Sequence, residues 1–327
     1  MKSEPKGKIF DEHKIFCGMF VVREIMGPST FSLTTAFLLI SYSMFDAVHS
    51  MRTRIVTSSC FNGDKILGAI LFEDTMDRTV NGLPTSEYLW STKSIIPFLK
   101  IDKGLRNLEA SDIDAEIVEG EPSVQVLNPI PDLETLLQRA KSLGVYGTKA
   151  RSLILNPKNP NHIDALVKQQ FDVARTVLRE GLIPIIEPEV DVTQDAADKQ
   201  ACEDILCKAL LRELDALKEE ESLSKTDAKT LLEDDYHRVM IKISLPEIPD
   251  QYQECIDHPC CLQVVALSGG YNQSEANIRL SRSNGIIASF SRALVEGLSH
   301  GMTDDAFESC LSESLSVIFD ASASSAP

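Results

Sequence analysis

The chain has 327 residues, 43% of them apolar and 25% charged, with 49 acidic against 32 basic side chains for a formal net charge of −17. That is too apolar for a disordered chain, and the acidic balance argues against a broad nucleic-acid or anionic-membrane surface, which needs clustered Lys and Arg. A small basic pocket for a phosphorylated ligand stays open, and the length fits two ordinary domains or one large α/β barrel.

At the N-terminus, Asp11 and Glu12 break the signal-peptide pattern that Lys2, Lys6 and Lys8 begin. The apolar stretch around Ala36–Ile40 is far short of the roughly 20 residues that span a membrane. The eight cysteines contain no repeated CxxC pair, which reads as reduced thiols in an intracellular protein. Cys255, His258, Cys260 and Cys261 lie close together, but no second ligand pair follows. The six histidines form no HxH or HxxxH pair, so no metal centre is expected.

From residue 66 onward, short apolar runs alternate with helix-period segments. The runs Ile66–Glu73, Ile95–Asp102 and Val145–Ser152 predict three strands. Leu182–Glu189, Val239–Leu245, Val264–Gly270 and Gly285–Arg292 predict four more. Most are continuous rather than alternating, as strands buried on both faces read. Between them Asp132 caps a helix ending at Gly144, and Asn161 caps one ending at Gly181. Residues 196–220, Ser274–Leu280 and Asp304–Phe319 supply further helices. Strands alternating with helices imply right-handed βαβ units and a parallel sheet. Seven strands, with an eighth expected upstream, predict a single-domain (β/α)₈ TIM barrel at about 41 residues per unit.

Nine polar residues fall within these strands or at their C-terminal ends: Lys100, Lys149, Arg151, Glu187, Glu189, Lys242, Ser268, Ser289 and Arg292. In a barrel those ends converge on one mouth, where active sites are built. Lys242 stands mid-strand among Met240, Ile241, Ile243 and Leu245. Burial disfavours its ammonium, a second cation at Lys149 adds to that, and a neutral amine is a nucleophile. The alternative is a strand-end lysine snorkelling to solvent. Glu187 and Glu189 share one side of their strand, a pair suited to moving protons during carbinolamine dehydration, or else to structural ion pairing. Ser268, Gly269 and Gly270 follow an apolar strand and precede a helix, where backbone N–H groups can approach a phosphate; Ser289 and Arg292 lie at the next strand end.

The stretches MRTRIVTS (51–58), KILGAILFEDTMDR (65–78), PFLKIDKGL (97–105) and GTKARS (147–152) resemble class I fructose-bisphosphate aldolases of the shorter bacterial and algal branch. So do GLIPIIEPEV (181–190), VMIKISLP (239–246), HPCCLQVVALSGGY (258–271) and IIASFSRAL (286–294). The resemblance implies metal-independent, cofactor-free cleavage of fructose 1,6-bisphosphate to dihydroxyacetone phosphate and glyceraldehyde 3-phosphate. It implies Lys242 as the Schiff-base lysine and Glu187 as acid/base, with Lys149 and Glu189 beside it. Lys100 and Arg151 are then substrate-binding, and Ser268, Gly269, Gly270, Ser289 and Arg292 hold a phosphate.

The resemblance divides the chain into a barrel over 44–327 and a divergent or mis-predicted segment over 1–43 that has to supply strand 1. The family's first strand carries a substrate-binding aspartate. The nearest match here, MFVVREIMGPST (19–30), puts Glu24 in its place. The extra methylene displaces the charge, and a shift of that size costs on the order of 100-fold in rate. A competing reading is therefore an impaired aldolase-like scaffold that binds phosphate esters. A transaldolase or deoxyribose-phosphate aldolase fits the IIEPE, SGG and SFSR stretches less well. The partner on the leading reading is a small phosphorylated sugar, with no nucleic acid and no membrane. The location is cytoplasmic, with a plastid and a homo-oligomer left open.

Overall fold

A computed structural model describes residues 14–18, 37–109, 122–224 and 238–324. Eight parallel strands form a closed ring: β1 (Ile15–Gly18), β2 (Ile66–Leu71), β3 (Ile96–Lys100), β4 (Gly147–Ile154), β5 (Ile183–Val190), β6 (Val239–Ser244), β7 (Cys261–Leu267) and β8 (Ile286–Phe290). Each pairs with its sequence neighbours, β3 meets β4 through Lys100 opposite Lys149, and β1 closes the ring against β8 through Phe16 opposite Ser289. All seven strands expected from residue 66 onward are present, and the barrel is the expected one.

The missing strand lies at Ile15–Gly18, ahead of the 19–30 stretch that the resemblance suggested. Its signal was the unbroken apolar run IFCGMFVV (15–22), the pattern of a strand buried on both faces. Glu24 falls outside the described residues. A short antiparallel ribbon, Leu105–Asn107 with Val124–Leu127, extends the sheet beyond β4.

The outer ring includes α1 (Phe37–Thr57), α2 (Leu133–Ser142), α3 (Pro160–Arg179), α4 (Ala196–Ser224), α5 (Gln273–Leu280) and α6 (Asp304–Ser324). Helix α3 begins two residues earlier than Asn161 suggests. Asn159 is its N-cap and Pro160 its first residue, where a missing N–H leaves nothing unpaired.

Strand side chains alternate between two cores. One face packs against the helices. The other fills the barrel with Leu67, Ile96, Phe98, Ile183, Ile185, Met240, Val265 and Ile287. Gly147 belongs to this inner row, and a Cβ there would lie 2.5 Å from the Phe98 ring, so only glycine fits. The same inward rows continue toward the mouth as Lys100, Lys149, Arg151, Glu187, Glu189, Lys242 and Ser289. The barrel is thus apolar through its lower layers and charged at the top.

Strand β5 carries two prolines, which suit a central strand poorly. The N–H of Val190, two residues beyond Pro188, points toward β6, where it donates to Ser244 Oγ at 3.0 Å. Pro184 and Pro188 share that orientation, so their missing donors also face β6. There the regular ladder is confined to Ile185 and Ile186 opposite Met240 and Ile241. The Ser244 hydroxyl bridges the parting strands by donating to Val190 O at 2.6 Å. Toward β4 the ladder runs unbroken from Ile183 to Val190, which fixes Glu187 and Glu189 firmly on that side.

Candidate active site

Three strands bring the central group together. The Glu187 carboxylate of β5 lies between two ammonium groups, with Lys149 Nζ of β4 at 2.6 Å and Lys242 Nζ of β6 at 3.1 Å. All three side chains are buried. Burial pushes the Glu187 carboxyl up, but the Lys149 and Lys242 ammonium groups outweigh it and hold it at about 2. Burial pulls Lys149 down, and the Glu187 and Asp102 carboxylates reverse that, leaving it above the usual lysine range.

Asp102 was not singled out in the sequence, and the structure makes it a hub. Its carboxylate pairs with Lys100, lies 3.5 Å from Lys149 Nζ and accepts the Arg151 N–H at 3.2 Å. The signal was available: Lys100 and Asp102 are two residues apart at a strand end, and so lie on one side of the chain. Arg151 pairs with Glu189, so the second carboxylate of IIEPE anchors a guanidinium and leaves Glu187 alone between the lysines. Lys100 also sits 5.7 Å from the centre of the Phe72 ring. Four cations and three carboxylates therefore share the mouth.

The Ser268–Gly270 turn lies just beyond β7, beside the end of β8. Gly269 and Gly270 have φ values of 65° and 132°, which side chains rarely adopt. The N–H groups of Gly270 and Tyr271 both donate to Ser268 O, at 2.8 and 2.9 Å. Together they close a tight turn around that carbonyl. Ser268 is buried, and the Ser289 hydroxyl on β8 is buried with no hydrogen-bond partner among the described residues. An unpartnered buried hydroxyl at a barrel mouth is a ready donor for an incoming oxyanion. Arg292 is exposed at the start of the short helix Arg292–Val295.

The cysteine–histidine group has a protein-internal role. His258 accepts the Cys260 N–H on Nδ1 at 3.2 Å and meets Asp215 through Nε2 at 3.3 Å, while Cys255, Cys260 and Cys261 are buried. Among the described residues no helix is long and apolar enough to cross a membrane.

A family model described as fructose-bisphosphate aldolase class-I matches residues 46–298. The chain is 48% identical over 279 residues to a class 1 fructose-bisphosphate aldolase of Synechocystis, covering 85% of this chain and 83% of that one. It is 45% identical to the class 1 enzyme of Clostridium acetobutylicum, covering 85% and 84%. Among solved structures it is similar to a fructose-bisphosphate aldolase of Plasmodium falciparum, with a TM-score of 0.65 and 18% identity over 98% of this chain and 93% of that one, a likeness of fold. The chain belongs to the class I fructose-bisphosphate aldolase family.

Proposed function

We propose that this chain cleaves fructose 1,6-bisphosphate reversibly to dihydroxyacetone phosphate and glyceraldehyde 3-phosphate through a Schiff base on Lys242. The observation that carries the reading is Glu187 held at 2.6 and 3.1 Å between Lys149 and Lys242 in the barrel mouth. On this reading the enzyme serves glycolysis and its reversal, in the cytosol or a plastid, and requires neither metal nor cofactor.

Lys242 passes a proton to Glu187, its free amine attacks the C2 carbonyl, and the carbinolamine hydroxyl then leaves as water with a proton returned by Glu187 or given by Lys149. The resulting iminium draws the C3–C4 electron pair toward C2 as that bond breaks. The C4 hydroxyl gives its proton to Glu187, and the aldehyde departs. Protonation of the enamine at C3 and hydrolysis of the imine then release dihydroxyacetone phosphate.

Held at about 2, Glu187 is ionised and has no proton to donate while both lysines are ammonium ions. Loss of the Lys242 charge removes one of its two cationic neighbours and raises its proton affinity at the step that needs it. Asp102 orients Lys149 and Lys100, Glu189 orients Arg151, and Ser268, Gly269, Gly270, Ser289 and Arg292 receive a phosphate.

The test is reduction with borohydride in the presence of dihydroxyacetone phosphate. Irreversible labelling of Lys242, lost in Lys242→Met, is expected; a folded protein that takes no label overturns the reading. A second reading, a phosphate-ester-binding scaffold with little cleavage, is favoured by β1 itself. Its sequence IFCG holds no carboxylate where the family's first strand has its aspartate. Glu24→Asp separates the two: a large gain in cleavage assigns the missing group to that position, and phosphate-ester binding without cleavage supports the scaffold.

A further inference from the structure

Outside the barrel mouth, a second set of charges, buried at Lys199 and Glu203 and half-buried at Glu247 and Arg279, connects the strand of Lys242 to the Ser268–Gly270 turn. Lys199 on α4 is 1% exposed, and its Nζ donates to Glu203 Oε1 at 2.5 Å and to Leu245 O, just past β6, at 2.8 Å. Glu203, fully buried, accepts the Glu247 N–H at 3.0 Å, and the Glu247 carboxylate lies 3.2 Å from Lys199 Nζ. The same Glu247 oxygen accepts from Arg279 on α5 at 3.1 Å. The Arg279 guanidinium stacks 4.4 Å from the centre of the Tyr271 ring, and the Tyr271 N–H closes the turn onto Ser268 O. The other flank of the turn is fixed by Val192, whose Cγ1 would be 2.9 Å from a Cβ at Gly269.

We propose that Arg279 and Glu247, anchored by Lys199 and Glu203, are positioning residues for the phosphate-binding turn. They hold it in register with the end of the Lys242 strand. The arrangement fits that task better than a purely stabilising one. On the strand side the partners are main-chain groups of the loop directly after β6, Leu245 O accepting and the Glu247 N–H donating, and the far end is the aromatic residue directly after the turn. A rigid spacer between nucleophile and phosphate site sets the distance at which a phosphorylated ketone presents its carbonyl. Hydrogen-bonded charge anchored on the buried Lys199–Glu203 pair is stiff enough to serve as one.

The inference rests on the reading of Ser268–Gly270 as a phosphate site, and the experiment separates the two. Schiff-base trapping is measured with dihydroxyacetone phosphate and with unphosphorylated dihydroxyacetone, and inorganic phosphate is titrated as a competitor. In Arg279→Leu the half-saturating concentration of the phosphorylated ketone is expected to rise about 3- to 30-fold, with a matching loss of phosphate competition. Half-saturation by the unphosphorylated ketone is expected to stay at the wild-type level. Arg279→Lys, which keeps a cation facing Glu247 and the Tyr271 ring, is expected to restore most of the loss. Glu247→Gln is the second variant if Arg279→Leu does not fold. Equal losses for both ketones, or no loss in a folded variant, overturn the inference. A wild type with no preference for the phosphorylated ketone overturns the phosphate-site reading and the inference with it.

Discussion

Two lysine–glutamate clusters, one buried and one partly buried, lie close to the strand of Lys242, and they are built in opposite proportion. In the mouth one carboxylate, Glu187, faces two ammonium groups and is held at about 2. Between α4 and the loop after β6, one ammonium group, Lys199, faces two carboxylates. There burial leaves Glu203 above the usual carboxylate range against the pull of Lys199, while Lys199 and Arg279 overcome burial to hold Glu247 below it. The difference separates chemistry from support. On the proposed mechanism the inner cluster contains a lysine whose charge changes when it bonds to substrate, so the proton affinity of Glu187 follows the reaction. Nothing in the outer cluster reacts, and every member binds backbone or another member of the network.

Breaking the inner cluster at its nucleophile has the largest expected effect. Lys242→Met should lower cleavage by about 10⁴- to 10⁶-fold and abolish borohydride labelling. Glu187→Gln should cost about 10²- to 10⁴-fold in kcat as the proton carrier is lost. The same variant tests the charge balance through pH. Because the native carboxyl sits near 2 and its ordinary value is 4.5, the unfolded chain binds more protons between those limits. Its contribution to stability is therefore complete above about 4.5 and lost as pH falls toward about 2. Urea unfolding should show the wild-type advantage over Glu187→Gln shrinking across that window, and an advantage independent of pH would contradict the charge assignment.

Asp102→Asn keeps the shape of the hub but loosens Lys149 and Lys100, and a kcat loss of about 10- to 100-fold is expected from steady-state cleavage assays. In the outer cluster, Lys199→Met should act chiefly on stability. It leaves Glu203 buried without its cation and should cost about 3–5 kcal/mol in urea unfolding. If its main effect were on kcat, the distinction between the two clusters would fail.

The barrel was legible because burial on both faces leaves a strong trace: seven continuous apolar runs, six of them carrying chemistry-bearing residues, became seven barrel strands. The Glu187–Lys149–Lys242 contact followed from placing those ends around one mouth. Asp102 escaped because its role is to bind other charged side chains, and no local pattern distinguishes such a carboxylate from a solvated one. The outer network escaped for a related reason. Lys199, Glu247 and Arg279 come from three separate elements, and in the sequence Lys199 and Glu203 read only as an exposed helical pair. The family pattern matches the carboxylate-bearing stretch after β1 better than the apolar run that forms the strand.

The four-residue strand that completes the ring also sets a schedule. Phe16 is translated about 270 residues ahead of its partner Ser289. At about 5–20 residues per second, β1 has no second neighbour for tens of seconds of synthesis. Until β8 emerges, an apolar strand with an open edge has to be kept from pairing with other chains. Ribosome-bound chains stopped before Ile286 should accordingly be captured by holdase chaperones and cut readily by protease, and release of the full chain should end both.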